Sequence, residues 1–174
     1  NPKFKGKTKA QRKKMALGAY YAKQNEEKET HEDEGEEAED KALIKKMVKN
    51  SINVASSTIG FLGVTFKDNC PDIRNSKAIE LFVELESWGA NVLASDPWAD
   101  PAQVKSTHGI ELQALDQLRN LDALVIAVAH REYVSLDLTY LKSLYNQSSY
   151  IIADLKAIFS LDDCLSTGFH VVRL

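Results

Sequence analysis

From Thr58 onward, short apolar runs alternate with stretches whose apolar residues recur every three or four positions. "TIGFLGVTF" has strand length. "SKAIELFVELESWG" sets Ile79, Phe82, Val83 and Leu85 at helical spacing and closes on Gly89, and "ANVLASD" is a second strand. After the turn signal "DPWADP" the same rhythm predicts a short strand "GIEL", a helix "ALDQLRN" and the most apolar strand, "DALVIAVAH". A helix around "LTYLKSLYNQ", a strand "YIIAD", a helix "SLDDCLSTG" and a terminal strand "HVVRL" complete the series.

Strands that read as near-continuous apolar runs are buried on both faces, and their regular alternation with helices predicts a parallel sheet covered on both sides. The expected fold class is α/β, a Rossmann-like doubly wound parallel sheet. In such sheets ligands sit beyond the carboxyl ends of the strands, near the point where strand order reverses. That rule brings four segments to one rim: "FKDNCPDIRN", "SDPWAD", "AHREY" and "DLKAIF".

Upstream the pattern dissolves. Residues 1–24 carry eight Lys/Arg and no acid, and residues 25–40 carry ten Asp/Glu against Lys28. Blocks this polar cannot build a core. The reading is a charged tail over 1–40, largely disordered or helical, then the end of a linking helix over 41–57 with Leu43, Ile44, Met47 and Val48 on one face, then a single domain over 58–174. Nothing base-specific accompanies the basic half of the tail; its alternative reading is phosphate-type contact with nucleic acid or an acidic surface, and Tyr20 and Tyr21 read as packing or partner contacts ahead of base stacking. The longest apolar run, Ala123 to Ala129, is far below the roughly 20 residues of a membrane helix, so a cytoplasmic protein without membrane partners is expected. Cys70 and Cys164 form no metal or disulfide pattern, and the four histidines sit at no ligand spacing, so no metal site is expected.

The chemistry concentrates in "GVTFKDNCPDIRNS", Gly63 to Ser76. Lys67 and Arg74 bracket a proline-stiffened turn, and Asn75 or Ser76 stands where it can cap the following helix. Cations beside a helix amino terminus attract phosphate and carboxylate oxygens. Asp72 can fix the rotamer of Arg74 or Lys67, which a guanidinium fork needs before it can recognise an anion. An ordinary surface ion pair accounts for the same spacing equally well. Gly60 and Gly63 fall within the first strand and no G-x-G-x-x-G follows, so the dinucleotide fingerprint is missing. His130 ends the strongest strand and reads as a structural loop histidine ahead of an acid or base. Asp96, in "SDPWAD", reads as a turn residue ahead of a ribose ligand.

"GVTFKDNCPDIRNSKAIELFVELESWGANVLASDPWAD", with "AVAHREY" and "ADLKAIF", resembles the carboxyl-terminal, UDP-binding domain of the UDP-glucose/GDP-mannose dehydrogenase family, most closely the bacterial members acting on UDP-N-acetyl-hexosamines for capsule and surface polysaccharide. The resemblance implies an NAD-dependent enzyme that oxidises the sugar C6 alcohol twice to a carboxylate, through a cysteine-bound thioester. It implies a UDP-sugar held between this domain and partner NAD-binding and central domains of the same enzyme. It places Phe66 and Lys67 against the substrate's nucleotide and sugar, Lys156 near the uridine, and Arg74, positioned by Asp72, toward the pyrophosphate side of NAD. No catalytic residue is expected here: the family's nucleophilic cysteine belongs to a motif this chain lacks, as it lacks the NAD fingerprint, and Cys70 reads as a packing residue. Ala157 stands where the family often has glycine. The expected function is therefore a UDP-sugar-binding domain that is inactive by itself. A stand-alone nucleotide-binding module, or an interaction protein working through the charged tail, are the alternatives.

Overall fold

The computed structural model describes residues 53–146 and 149–173, all within the compact unit Glu34–Leu174. The readings of the charged tail and of the linking helix up to residue 52 lie outside the described residues. Five strands form the sheet: β1 (Thr58–Leu62), β2 (Asn91–Ser95), β3 (Ala123–Ile126), β4 (Tyr150–Asp154) and β5 (Phe169–Val172). All four neighbouring pairs are parallel, in the order β2-β1-β3-β4-β5. The predicted doubly wound parallel sheet is therefore the fold observed.

Among the described residues five helices join the strands: α1 (Lys77–Ser87), α2 (Pro101–His108), α3 (Arg131–Val134), α4 (Leu138–Lys142) and α5 (Leu161–Thr167). Their ends follow local chemistry. Pro101 opens α2, Asp100 caps it by accepting from the Ala102 and Gln103 amides, and Gly109, at φ 76°, ends it in the left-handed conformation. Asp137 and Ser160 cap α4 and α5 in the same way.

Side-chain alternation along the strands divides the core. Ile59 and Phe61 of β1, with Val125 and Ile151, pack against Ile79, Phe82 and Leu85 of α1 and Val104 of α2. Phe61 meets Phe82 edge to face at 5.5 Å. On the other face Leu62, Leu124, Ile126 and Ile152 pack with Tyr133, Leu141, Cys164 and Phe169. Each fully buried large apolar side chain contributes about 1.5–3 kcal/mol of transfer free energy, so both faces are strongly committed to the sheet.

Three predicted elements differ. "GIEL" forms no strand: only Leu112 bridges to Ala94, because the segment is caught between the turn at Gly109 and the start of the next helical turn. "ALDQLRN" is one 3-10 turn, Leu115–Gln117, cut short where Asn120 adopts φ 58° ahead of β3. Gly63 lies just past β1 at φ 90°, and a Cβ there would stand 2.4 Å from Val128 Cβ. Only glycine lets the chain leave β1 this close to the end of β3.

The chain leaves β1 for β2 on one side and returns to the other side at β3, so the order reverses between β1 and β3. The segments after these two strands flank that reversal.

Candidate functional site at the carboxyl rim

The four rim segments lie where the sequence predicts, each following the carboxyl end of a parallel strand. The one after β1, residues 63–76, is built by hydrogen bonds to its neighbours. The Phe66 amide donates to the Asp72 carbonyl at 2.7 Å and closes the loop on itself. Asp68 Oδ1 accepts from the Ala129 amide, and Asn69 Oδ1 from the Arg131 amide, both at 2.9 Å. Asn69 and Asn75 take φ values of 53° and 54°, the left-handed region asparagine tolerates better than most residues. Ser76 holds the N-cap position of α1 but its side chain does not cap it. Its buried hydroxyl donates instead to the Thr65 carbonyl at 3.1 Å, so the expected cap is a tether to β1's loop.

Beneath this loop lies a buried polar cluster. Asp96 and His130 both have fully buried side chains. Asp96 Oδ2 accepts from the amides of Val64 (2.7 Å) and Thr65 (3.2 Å), and Oδ1 from those of Trp98 and Ala99. His130 Nδ1 accepts from the Asn69 amide at 2.9 Å, which puts the ring proton on Nε2, 3.2 Å from Asp96 Oδ2 and 3.0 Å from Thr65 Oγ1. The Thr65 hydroxyl donates onward to the Lys67 carbonyl at 3.2 Å. Burial works to raise the Asp96 carboxyl, but the His130 contact and the backbone amides outweigh it and hold it below the ordinary carboxylate value. The imidazole packs between Trp98, stacked at 6.3 Å, and Tyr133, at 5.6 Å, while the Tyr133 hydroxyl donates to the Ser95 carbonyl. His130 is thus a structural histidine and Asp96 a turn residue. With both oxygens engaged by the fold, Asp96 has no free edge for a ribose.

The charged residues singled out from the sequence stand above this cluster. Arg74 Nε and Nη2 donate to Asp72 Oδ1 and Oδ2 at 2.9 and 2.7 Å, a two-pronged fork. The side chain of Arg74 is 81% exposed and that of Asp72 34%. The side-chain hydrogen bonds from Arg74, with its backbone amide, hold the Asp72 carboxyl at about 2. Lys67 is exposed, and Phe66 keeps 56% of its surface in solvent despite its apolar ring. Cys70 is a partly buried free thiol.

Lys156 belongs to a different segment, the exposed turn after β4, separated from β1 by β3. Asp154 organises that turn. Its buried carboxylate accepts from the Ile158 and Phe159 amides at 3.0 and 3.1 Å and from Arg173 Nη2 at 2.9 Å. Arg173 Nη2 also donates to the Phe159 carbonyl. Ala157, next to Lys156, sits at φ 51°. Thr65, Asn69 and Asp154 lie inside the stretches that carry the resemblance, but no spacing pairs them with His130 or Arg173, and Arg173 lies in no motif.

Comparison with known proteins identifies the architecture. The model of the UDP-glucose/GDP-mannose dehydrogenase family, UDP binding domain, matches residues 60–161. The chain belongs to this family. Protein CapL of Staphylococcus aureus is 34% identical over 121 residues, 70% of this chain and 28% of CapL. The UDP-N-acetyl-D-glucosamine 6-dehydrogenase of Salmonella typhi is 34% identical over 116 residues, 67% of this chain and 27% of the enzyme. The chain thus spans under a third of the length of these relatives. The crystal structure of NDP-N-acetyl-D-galactosaminuronic acid dehydrogenase from Methanosarcina mazei Go1 superposes with a TM-score of 0.72 over 79% of this chain and 28% of that one, at 21% identity, and shares the fold. Among the described residues no helix is long and apolar enough to cross a membrane, and no cluster of His, Cys, Asp and Glu could hold a metal ion.

Proposed function

We propose that this chain is the UDP-sugar-binding domain of an NAD-dependent UDP-sugar 6-dehydrogenase, which oxidises the sugar C6 alcohol to a uronate for polysaccharide precursors, and that it is inactive by itself. The observation that carries the reading is the exposed, pre-oriented Asp72–Arg74 fork beside Lys67, on the loop at the strand-order reversal of a family UDP-binding domain. Arg74 spends Nε and one Nη2 hydrogen on Asp72 while its side chain stays 81% exposed, an arrangement that suits a phosphate. Lys67 offers a point charge to a diphosphate, exposed Phe66 a flat apolar face to a base or sugar, and Lys156 a second cation for the uridine end of the ligand.

NAD supplies the hydride acceptor when bound. Within this chain Arg74 is the group that fits the cofactor's pyrophosphate. With the glycine fingerprint missing and Asp96 fully engaged, the main dinucleotide site belongs to another domain. Oxidation then needs a nicotinamide and a nucleophilic thiol, both of which the family resemblance assigns to the region ahead of this domain.

Calorimetric titration of the chain with UDP tests the reading, with NAD titrated separately. UDP should bind, at least tenfold more weakly after Lys67→Ala and more weakly after Lys156→Ala, and each loss should shrink as salt rises. A wild-type chain silent to UDP at millimolar concentration, or a Lys67→Ala variant binding as well as the parent, would overturn it.

A further inference from the structure

One ring fastens both ends of the segment that carries the proposed nucleotide contacts. Thr65 and Asn69 bound a five-residue stretch whose tip is Phe66, Lys67 and Asp68. At one end Thr65 Oγ1 lies 3.0 Å from His130 Nε2; at the other the Asn69 amide donates to His130 Nδ1 at 2.9 Å. The stretch is further pinned to the segment after β3 by Asp68 and Asn69, which accept from the Ala129 and Arg131 amides. The imidazole is itself held, fully buried, by Asp96 and between Trp98 and Tyr133. With Nδ1 accepting from Asn69, the single Nε2 proton is shared between Thr65 Oγ1 and Asp96 Oδ2.

We infer that His130 is a positioning residue: a latch that presents Phe66 and Lys67 in one fixed geometry, with Asp96 orienting the ring and Thr65 and Asn69 as its two catches. The inference rests on the reading of Phe66 and Lys67 as nucleotide contacts. Exposed side chains on an untethered loop would lose freedom on binding, and the latch removes that loss beforehand.

The latch and a merely space-filling histidine make opposite predictions for two variants. His130→Phe keeps the ring and its stacking but has neither nitrogen, whereas His130→Asn leaves a small void but returns a carbonyl acceptor near the place of Nδ1. In the full chain, His130→Phe should speed hydrogen exchange at the Asn69 amide and weaken UDP binding, each by about tenfold, the equivalent of one to two net hydrogen bonds. His130→Asn should stay within about threefold of the parent in both. Thr65→Val, a near-isosteric change that frees only one catch, should give an intermediate loss and serves if His130→Phe fails to fold. Parent-like exchange and affinity in folded His130→Phe, with the larger defect in His130→Asn, would reduce His130 to packing and overturn the latch. A parent chain silent to UDP would instead remove the nucleotide reading, and Asn69 exchange would then decide the latch alone.

Discussion

Two aspartate–arginine pairs stand on the same rim and do opposite work. Asp72 and Arg74 meet two residues apart in sequence, in solvent, through two matched hydrogen bonds. Asp154 and Arg173 meet nineteen residues apart, the carboxylate fully buried and the guanidinium 22% exposed, and the carboxylate also gathers two amides of its own turn. Water competes for the first pair and is excluded from the carboxylate of the second. The exposed pair is therefore cheap to hold and free to meet a ligand, whereas the buried pair fixes the backbone that carries Lys156. Identical chemistry stays open to solvent or locks a turn according to its burial.

Breaking the buried pair should give the largest effect. Asp154→Ala leaves the Arg173 guanidinium without its carboxylate and two amides without an acceptor, and should destabilise the domain by roughly 3–5 kcal/mol. Urea unfolding measures this, and a loss within error of zero would show that the pair is ornamental. A smaller change sharpens the contrast on the same turn. Ala157 occupies a left-handed conformation that costs about 1–2 kcal/mol for a residue with a Cβ, so Ala157→Gly should stabilise by about 0.5–1 kcal/mol after the added chain entropy of glycine. The same relief accounts for the glycine expected at this position from family resemblance. A lower melting midpoint in Ala157→Gly would contradict it.

The exposed pair should barely register in unfolding. Its signature is a titration. The Asp72 carboxyl, held at about 2 against an ordinary 3.8, should rise toward 3.8 in Arg74→Ala, as followed by carbonyl NMR. Because the folded value is the depressed one, the pairing favours the folded state above about 3.8 and is lost as pH falls through about 2. An Asp72 midpoint near 3.8 in the parent protein would mean that the fork is open in solution.

The contrast also explains what could be read from the sequence. Strands and the principal helix were legible because apolar period and turn residues report burial directly, as in β3 and α1. So was the Asp72–Arg74 partnership, whose members are neighbours in the chain. "GIEL" looked like a strand because Ile110 is buried and Leu112 bridges β2, a burial that needs no ladder. The polar cluster under the rim was not legible as a cluster. His130 finds Asp96, Asn69 and Thr65 at separations of 34, 61 and 65 residues, through the sheet order rather than through any spacing. Hydrophobic pattern predicts which side of a strand is buried, and says little about which strand lies next to it.

The late position of Arg173 bears on how the domain is made. On a ribosome adding about 5–20 residues per second, the Asp154 carboxylate emerges roughly 1–4 s before the guanidinium that completes its shell. During that interval the turn bearing Lys156 has its amide acceptor but not its counterion, and β4 still awaits its edge neighbour β5. The carboxyl rim is consequently synthesised from its β1 side toward its β4 side. Thr65, Asn69 and His130 have all been added before Asp154, so the β4 turn is the last part of the rim to gain its full set of partners.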